Sequence, residues 1–171
     1  SHQVWREQLS ALGRRWRVIA LDLPGHGDSN GSGAERIEIY RDVVKEFMMA
    51  LHLDRTVMVG HSMGGAITQR IALDYPGLLA AIVLVGTGAR LRVQPQSFAG
   101  LRDDARRTVD LMTKWARAPG TPAEVLKQDA EAMLRTSVPV IEGDLRACDA
   151  FDLMEQVKAI TLPVLVICGI D

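Results

Sequence analysis

Short apolar runs alternate along the chain with longer stretches in which apolar residues recur at helical spacing. The continuous apolar runs predict buried strands at Arg17–Leu21, Thr56–Val59, Leu79–Val85 and Pro163–Cys168. Parallel strands that helices cover on both faces have such continuous runs, because neither side of the strand meets water. The order of runs therefore predicts an α/β fold with a mostly parallel sheet and helices on both faces.

Helical periodicity fills the intervals between these runs. It predicts helices at residues 1–12, 34–51 and 62–75, and a further helix from Phe151 to Ile160. The second of these helices carries an apolar stripe formed by Ile37, Tyr40, Val44, Phe47, Met48 and Leu51. Because the apolar side of a helix packs against the core, we expect this stripe to be buried.

Residues 87–147 break the alternation of strands and helices. They contain no strand-like run and show two or three amphipathic helical patterns instead, which Pro119–Pro122 divides. The apolar positions are Leu101, Ala105, Met112 and Trp115 in the first pattern and Leu126, Ala130, Met133 and Leu134 in the second. We expect a core segment at 1–86, a helical cap at 87–147, and a return to the core through one helix and one strand at 148–171.

One abrupt turn joins the run at Thr56–Val59 to the helix that follows it. Ser62 lies at its apex between Gly60 and Gly64, in the order Gly-His-Ser-Met-Gly. This is the G-x-S-x-G pattern of a nucleophile elbow, in which a strained turn holds a serine hydroxyl clear of the backbone. We expect both glycines to be required, since a side chain at either position would block the close approach of strand and helix. The alternative is a serine that only caps the helix N-terminus.

Length and composition indicate an ordinary globular protein. The 171 residues suffice for one domain, and the net charge of −1 favours neither a nucleic-acid partner nor an anionic membrane surface. No apolar run approaches the ~18 residues that span a bilayer, and the first residues lack the form of a signal peptide. Cys148 and Cys168 have no metal-ligand spacing and are expected to be buried thiols, which predicts a cytoplasmic protein. Nucleotide and metal motifs are absent from the sequence, so neither a cofactor nor a metal is predicted.

Three stretches, in this order, resemble motifs of the α/β-hydrolase fold family. Leu21–Ser29 reads Leu-Asp-Leu-Pro-Gly-His-Gly-Asp-Ser and is similar to the family's D-x-P-G-x-G-x-S loop. The elbow at Gly60–Gly64 is the second motif, and Leu162–Gly169 is similar to the family's P-x-L-x-x-x-G strand. The chain resembles single-domain members with a helical cap. The resemblance also implies a truncated α/β-hydrolase fold, because the family's oxyanion strand and its last strand are not found in these residues.

The resemblance implies roles for particular residues. Ser62 is expected to be the nucleophile, and the N–H of Met63 one of two oxyanion donors. The second donor is expected on a loop before Ser1, and the catalytic acid and histidine beyond Asp171, which lies one place too early to be the family's acid. Since removal of the histidine from a serine triad costs on the order of 10⁶ in turnover, the chain as given is expected to be inactive.

The four histidines do not lie where the family has its base. They are His2, His26, His52 and His61. His26 is expected to fix its own loop by hydrogen bonding, and His61 to pack beside the elbow. His2 and His52 are expected to be exposed.

For the full-length protein we expect a serine hydrolase that acts on a carboxylic ester, a lactone or a similar small acyl substrate through an acyl-enzyme. An acyltransferase, a C–C hydrolase and a cofactor-free perhydrolase use the same elbow and form the first alternative. A non-catalytic ligand receptor or interaction module is the second. A small acyl substrate is the only partner predicted, without nucleic acid or membrane, and the sequence assigns no oligomeric state.

Overall fold

A parallel three-stranded sheet forms the centre of the computed structural model, which describes residues 1–169. The strands are β1 (Thr56–His61), β2 (Leu79–Val85) and β3 (Val164–Ile167), in the spatial order β1-β2-β3. In the register of the sheet, His61 lies opposite Val85, and Val85 lies opposite Ile167. The three strands therefore end at one level, and the segments that follow them meet at one edge of the sheet.

Seven helices form in the described part of the chain. They are α1 (Arg6–Leu12), α2 (Ile37–Ala50), α3 (Met63–Asp74), α4 (Pro95–Asp103), α5 (Ala105–Trp115), α6 (Ala123–Leu134) and α7 (Val138–Ala150). Single 3₁₀ turns occur at His2–Trp5, Pro76–Leu78 and Val157–Ala159. The helices predicted at 1–12, 34–51 and 62–75 are thereby confirmed, with ends shifted by a few residues.

The main core lies between α2, α3 and one face of the sheet. Helix α3 packs on β1 and β2, and α2 packs on α3. The buried apolar side chains of this core are Ile37, Tyr40, Val44, Met48, Ala66, Ile67, Ile71, Ala72, Leu79, Ile82, Ala147, Phe151 and Leu153. On the opposite face of β1, Val57 and Val59 are 55% and 44% exposed. The α/β class and the parallel sheet are confirmed, and within residues 1–169 helices cover one face of β1.

The strand predicted at Arg17–Leu21 is not formed. This segment has no regular secondary structure, and Ile19 is 40% exposed. Within the described residues β1 pairs only with β2, so no strand lies beside Arg17–Leu21 to complete a ladder of hydrogen bonds. A cavity of about 330 Å³ separates the segment from α2, lined by Leu21 and Phe47 among others.

The helix predicted from Phe151 to Ile160 is also wrong. Only the 3₁₀ turn at Val157–Ala159 forms there, and the helix of this region, α7, ends before Phe151. An antiparallel bridge between Arg90 and Asp152 holds the segment extended, and the N–H of Leu153 donates to the carbonyl of Ala89 at 2.7 Å. Phe151 and Leu153 then point into the main core. Pairing with the loop after β2 has replaced helical hydrogen bonds.

Helices α4 to α7 enclose a second, small cluster of buried apolar residues. It consists of Leu101, Val109, Ala130 and Ile141. The first predicted pattern divides into α4 and α5 at Asp104, whose carboxylate accepts the N–H of Arg107 at 2.9 Å and so caps α5. The boundary predicted at 147 lies inside α7. The division into core and cap segments remains a prediction.

The two cysteines differ in their surroundings. Burial raises the pKa of the Cys148 thiol to about 12, and the nearby carboxylates of Asp144 and Asp149 add to the rise. Cys168 is exposed, so the prediction that it is buried is wrong. It lies one residue after β3, whose four side chains are themselves exposed.

Candidate active site

Ser62 occupies the junction of β1 and α3 with a strained backbone. Its φ of 51° and ψ of −120° fall in a region that residues with a side chain rarely adopt. Such a conformation costs on the order of 1–3 kcal/mol and persists only where surrounding contacts hold it. The Ser62 side chain is exposed at the edge of the sheet where the strands end. The turn has the geometry that the G-x-S-x-G pattern predicts.

Four hydrogen bonds hold the backbone of Ser62. Its N–H donates to the carbonyl of Val85 at the end of β2, at 3.1 Å. Its carbonyl accepts the N–H groups of Gly65 and Ala66, at 2.8 and 3.3 Å. The same carbonyl also accepts the hydroxyl of Thr87, at 2.9 Å. The strained turn is thus fixed from the neighbouring strand, from its own helix and from the loop after β2.

The glycines around the elbow differ in what their missing side chains permit. A Cβ at Gly60 would lie 2.3 Å from the carbonyl oxygen of Gly64, so the expectation for Gly60 agrees with the structure. A Cβ at Gly64 would meet no described atom within 4 Å outside its own helix turn, so the reason predicted for Gly64 is wrong. The glycine that allows close approach is Gly65, where a Cβ would lie 2.4 Å from the side chain of Thr87.

Met63 is the first residue of α3. The first N–H groups of a helix have no carbonyl one turn earlier to accept them, and they carry the positive end of the helix dipole. The N–H of Met63 therefore suits an oxyanion donor. Its side chain packs against the main core.

Two residues outside the predicted site connect the elbow to the loop after β2. Thr87 bonds the carbonyl of Ser62, and Gln69 donates its amide to the carbonyls of Gly65 and Gly88 at 3.2 and 3.0 Å. Gln69 is only 2% exposed. The sequence does contain a signal for Gln69, since it is a polar residue among the apolar residues of a core helix. A buried amide must find hydrogen-bond partners.

His61 does not bond Ser62 among the described contacts, as expected for the residue before the nucleophile. His61 was expected to pack beside the elbow, but the residue as a whole is exposed. Its imidazole ring is nevertheless partly withdrawn from water. Withdrawal of the ring from water, together with the positive charge of Arg117, lowers the pKa of His61 below its ordinary value. Arg117 follows α5, so the charge comes from the predicted cap.

His26 joins its loop to α7 rather than fixing the loop alone. Nδ1 lies 3.0 Å from the carbonyl of Pro24, and Nε2 lies 2.7 Å from the Asp144 carboxylate. The hydroxyl of Tyr40 donates to the other oxygen of Asp144 at 2.5 Å and accepts the N–H of Ala34 at 2.9 Å. Both ring nitrogens of His26 face acceptors, and the bond to Asp144 raises its pKa. We call His26, Tyr40 and Asp144 the histidine cluster.

His2 was predicted to be exposed, but it is half-buried and bonds Asp22. Its N–H and its Nδ1 lie 2.6 and 2.8 Å from the two carboxylate oxygens, and the N–H of Asp28 donates to the same carboxylate at 3.0 Å. Burial raises the pKa of Asp22, but these bonds outweigh it and bring the pKa to about 2. His2, Asp22 and Asp28 are close enough to share a metal ion. The Asp22 carboxylate already accepts N–H groups of His2 and Asp28, so we assign these three residues the role of holding the loop that contains Asp22 and Asp28.

The predicted acid position lies outside the described residues, since these end before Ile170. The placement of the acid and the histidine base beyond Asp171 therefore stays a prediction. His52 is exposed, as expected. Within residues 1–169, no helix is long and apolar enough to cross a membrane.

The chain is similar to known hydrolases in sequence and in structure. A family model described as alpha/beta hydrolase fold matches residues 1–128. Pimeloyl-[acyl-carrier protein] methyl ester esterase of Citrobacter koseri is 31% identical, and the match covers 98% of this chain and 70% of that protein.

Solved structures of hydrolases are also similar to this chain. A structure described as a thermophilic esterase is 36% identical with a TM-score of 0.83, and the match covers 96% of this chain and 64% of that one. The enol-lactonase from Burkholderia xenovorans is 25% identical with a TM-score of 0.90, over 99% of this chain and 68% of that one. This chain thus spans about two thirds of the length of these relatives.

Proposed function

The chain belongs to the α/β-hydrolase fold family, and on that basis we propose that the full-length protein is a serine esterase for small carboxylic esters or lactones. The predicted family is confirmed, and the names of the relatives agree with the predicted esterase-like hydrolase. The nucleophile, the mechanism and the substrate class are proposals. The observation that carries them is the exposed Ser62, held in a strained turn by four hydrogen bonds.

In the proposed first step the hydroxyl oxygen of Ser62 adds to the carbonyl carbon of the ester. A C–O bond forms, and the π electron pair of the carbonyl moves onto its oxygen. The hydroxyl proton passes to a histidine base, which the family pattern places beyond Asp171. The N–H of Met63 donates to the new oxyanion, since it has no partner one helical turn earlier.

Collapse of this tetrahedral intermediate breaks the bond to the alcohol oxygen. The histidine returns its proton to that oxygen, the alcohol leaves, and an acyl-enzyme remains on Ser62. Water then adds to the acyl carbon with the same histidine as base. A second collapse releases the carboxylic acid and restores the serine hydroxyl.

The substrate class is supported by the printed names of two relatives. One is a methyl ester esterase and the other an enol-lactonase. The ester and the lactone in these names both contain a C–O single bond at an acyl carbon. A small acyl substrate also agrees with the net charge of −1, which gives no reason to expect a polyanionic partner.

The test is covalent labelling of the natural protein at its full length, numbered as here. A fluorophosphonate probe should label it, and Ser62→Ala should abolish the labelling. Ser10→Ala is the matched control, because Ser10 is an exposed serine on α1. Labelling that persists in the Ser62→Ala protein would overturn the assignment of the nucleophile.

The alternative functions give different results in this labelling experiment or in a hydrolysis assay with an added alcohol acceptor. A non-catalytic ligand receptor would leave the wild-type protein unlabelled. An acyltransferase would be labelled, but an added alcohol acceptor would divert the acyl group from water. Hydrolysis that continues unchanged in the presence of the acceptor supports the esterase.

A further inference from the structure

The peptide bond between Ser62 and Met63 has two functional ends. Its carbonyl oxygen accepts the hydroxyl of Thr87 at 2.9 Å. Its N–H is the proposed oxyanion donor of Met63. A peptide unit is planar and trans, so its C=O and N–H point in opposite directions. Any group that fixes the direction of the Ser62 carbonyl therefore fixes the direction of the Met63 N–H.

Thr87 differs from the other donors to this carbonyl. The N–H groups of Gly65 and Ala66 belong to α3 and move with the helix that carries Met63. Thr87 instead follows β2, so its hydroxyl fixes the orientation of this peptide relative to the sheet. Among the described donors to this oxygen it is the one side chain.

The position of Thr87 is itself fixed by α3. Gly65 leaves the space that the Thr87 side chain occupies, since a Cβ there would lie 2.4 Å from it. The buried amide of Gln69 bonds the carbonyls of both Gly65 and Gly88, which flank the contact on the helix and on the loop. The half-buried Thr87 side chain thus lies against α3 at Gly65, with its hydroxyl directed to the Ser62 carbonyl.

We propose that Thr87 is a positioning residue that aims the Met63 N–H at the oxyanion formed on the substrate. The inference rests on the proposed function, since it presumes attack by Ser62. The bond to Thr87 also polarises the peptide, which strengthens its N–H as a donor. Thr87 touches neither substrate nor reacting atoms in this role. It acts through the backbone of Ser62.

The expected effect lies in turnover rather than in substrate binding. Loss of a whole oxyanion donor costs about 10²–10³ in kcat. Loss of the group that aims the donor should cost less, about tenfold, because the N–H remains present but poorly directed. KM should stay within about twofold, since the donor is engaged mainly in the transition state.

The experiment compares Thr87→Val, Thr87→Ser and Thr113→Val in the full-length protein with p-nitrophenyl butyrate as substrate. Valine keeps the shape of threonine without the donor, and serine keeps the donor. Thr113 is the matched control, a buried threonine of α5 whose hydroxyl bonds the carbonyl of Val109 at 3.0 Å. We expect kcat to fall about tenfold in Thr87→Val only, and to recover in Thr87→Ser.

A second measurement separates this role from a merely structural one. A trifluoromethyl ketone forms a tetrahedral adduct with an active serine and places an oxyanion where the substrate would. Its affinity should fall in Thr87→Val by the same factor as kcat. If Thr87→Val does not fold, Thr87→Cys takes its place, and its weaker S–H donor should give a smaller parallel loss.

Three results would overturn the proposal. They are a kcat within twofold of wild type in Thr87→Val, an unchanged ketone affinity in a variant of low kcat, and a Thr87→Ser variant as slow as Thr87→Val. Fluorophosphonate labelling distinguishes the two levels of inference. If the wild-type protein is not labelled, the proposed function fails. If it is labelled and Thr87→Val reacts at the same rate, only the role of Thr87 fails.

Discussion

The elbow at Ser62 and the histidine cluster both hold neighbouring elements in a fixed arrangement, but with different chemistry. At the elbow, three of the four hydrogen bonds join backbone groups and the fourth comes from a neutral hydroxyl. In the histidine cluster, Asp144 of α7 accepts bonds from His26 and Tyr40, so titratable side chains make this part of the contact between α7 and the core.

The difference predicts opposite sensitivities. Backbone groups do not titrate near neutral pH, so the elbow should keep its geometry over a wide pH range. Its atoms are close-packed at Gly60 and Gly65, however, and an added methyl group at either of these two positions has no space. The side chains of the histidine cluster can adjust to a residue of different shape. Removal of the charge on Asp144 or His26, however, leaves the other residue without its charged hydrogen-bond partner. Substitutions at Gly60 and in the histidine cluster test this contrast.

The largest effect is expected for Gly60→Ala, which places a methyl group against the backbone of Gly64. We expect a loss of about 3 kcal/mol in the free energy of unfolding, because the nearest atom is backbone and cannot rotate away. Gly64→Ala is the matched control, since its Cβ meets open space and alanine favours a helix. Urea denaturation measures both. Equal destabilisation by the two variants would refute the distinction drawn between these glycines.

A smaller effect is expected for Asp144→Asn, which removes the charge that the histidine cluster shares. The free energy of unfolding at pH 6 should fall by about 2 kcal/mol, because an amide replaces the acceptor of a charged hydrogen bond. Asp110→Asn is the control, since its ion pair with Arg106 is largely exposed and should be worth no more than about 0.5 kcal/mol. A loss at Asp144 no larger than at Asp110 would show that this cluster does not stabilise the packing of α7.

The smallest effect is the pH dependence of the histidine cluster. The pKa of His26 is raised in the folded state, so its contribution is fully present below the ordinary pKa of 6.5 and is lost as the pH rises through the higher value. Within the cluster Asp144 raises the pKa of His26, and outside it the nearby Cys148 thiol adds to the rise in the pKa of Tyr40.

Between pH 6 and pH 9 the wild-type protein should therefore lose about 1 kcal/mol more stability than His26→Gln, about the difference between a charged and a neutral hydrogen bond. His52→Gln is the control, because His52 is an exposed histidine. Thermal or urea denaturation at both pH values gives the comparison. If His26→Gln and wild type show the same pH dependence, His26 is not held in its charged form by Asp144.

Local patterns predicted the elements that have partners within the described chain. Leu79–Val85 forms β2 as predicted, and it lies between two other strands. Arg17–Leu21 has a similar apolar pattern and forms no strand, because no described strand lies beside it. An apolar run specifies that a segment can join a sheet. Whether it does so depends on a neighbour that the run itself does not contain.

The candidate site shows the same division. The G-x-S-x-G motif located Ser62 and correctly assigned a close approach to Gly60, because the turn is made from consecutive residues. It could not identify Thr87, which lies 25 positions later and reaches the elbow through the pairing of β1 with β2. It also placed the steric requirement on Gly64, whereas the contact across elements requires Gly65.

The sequence by itself determined the family, the order of most elements and the serine at the apex of the turn, since each depends on short-range spacing. Tertiary structure alone decided which groups hold that turn and how α7 reaches the core. His26 and Asp144 are separated by 118 positions, and their bond exists only because the loop and α7 fold against each other. Hydrogen bonds act over about 3 Å of space, whatever the separation along the chain.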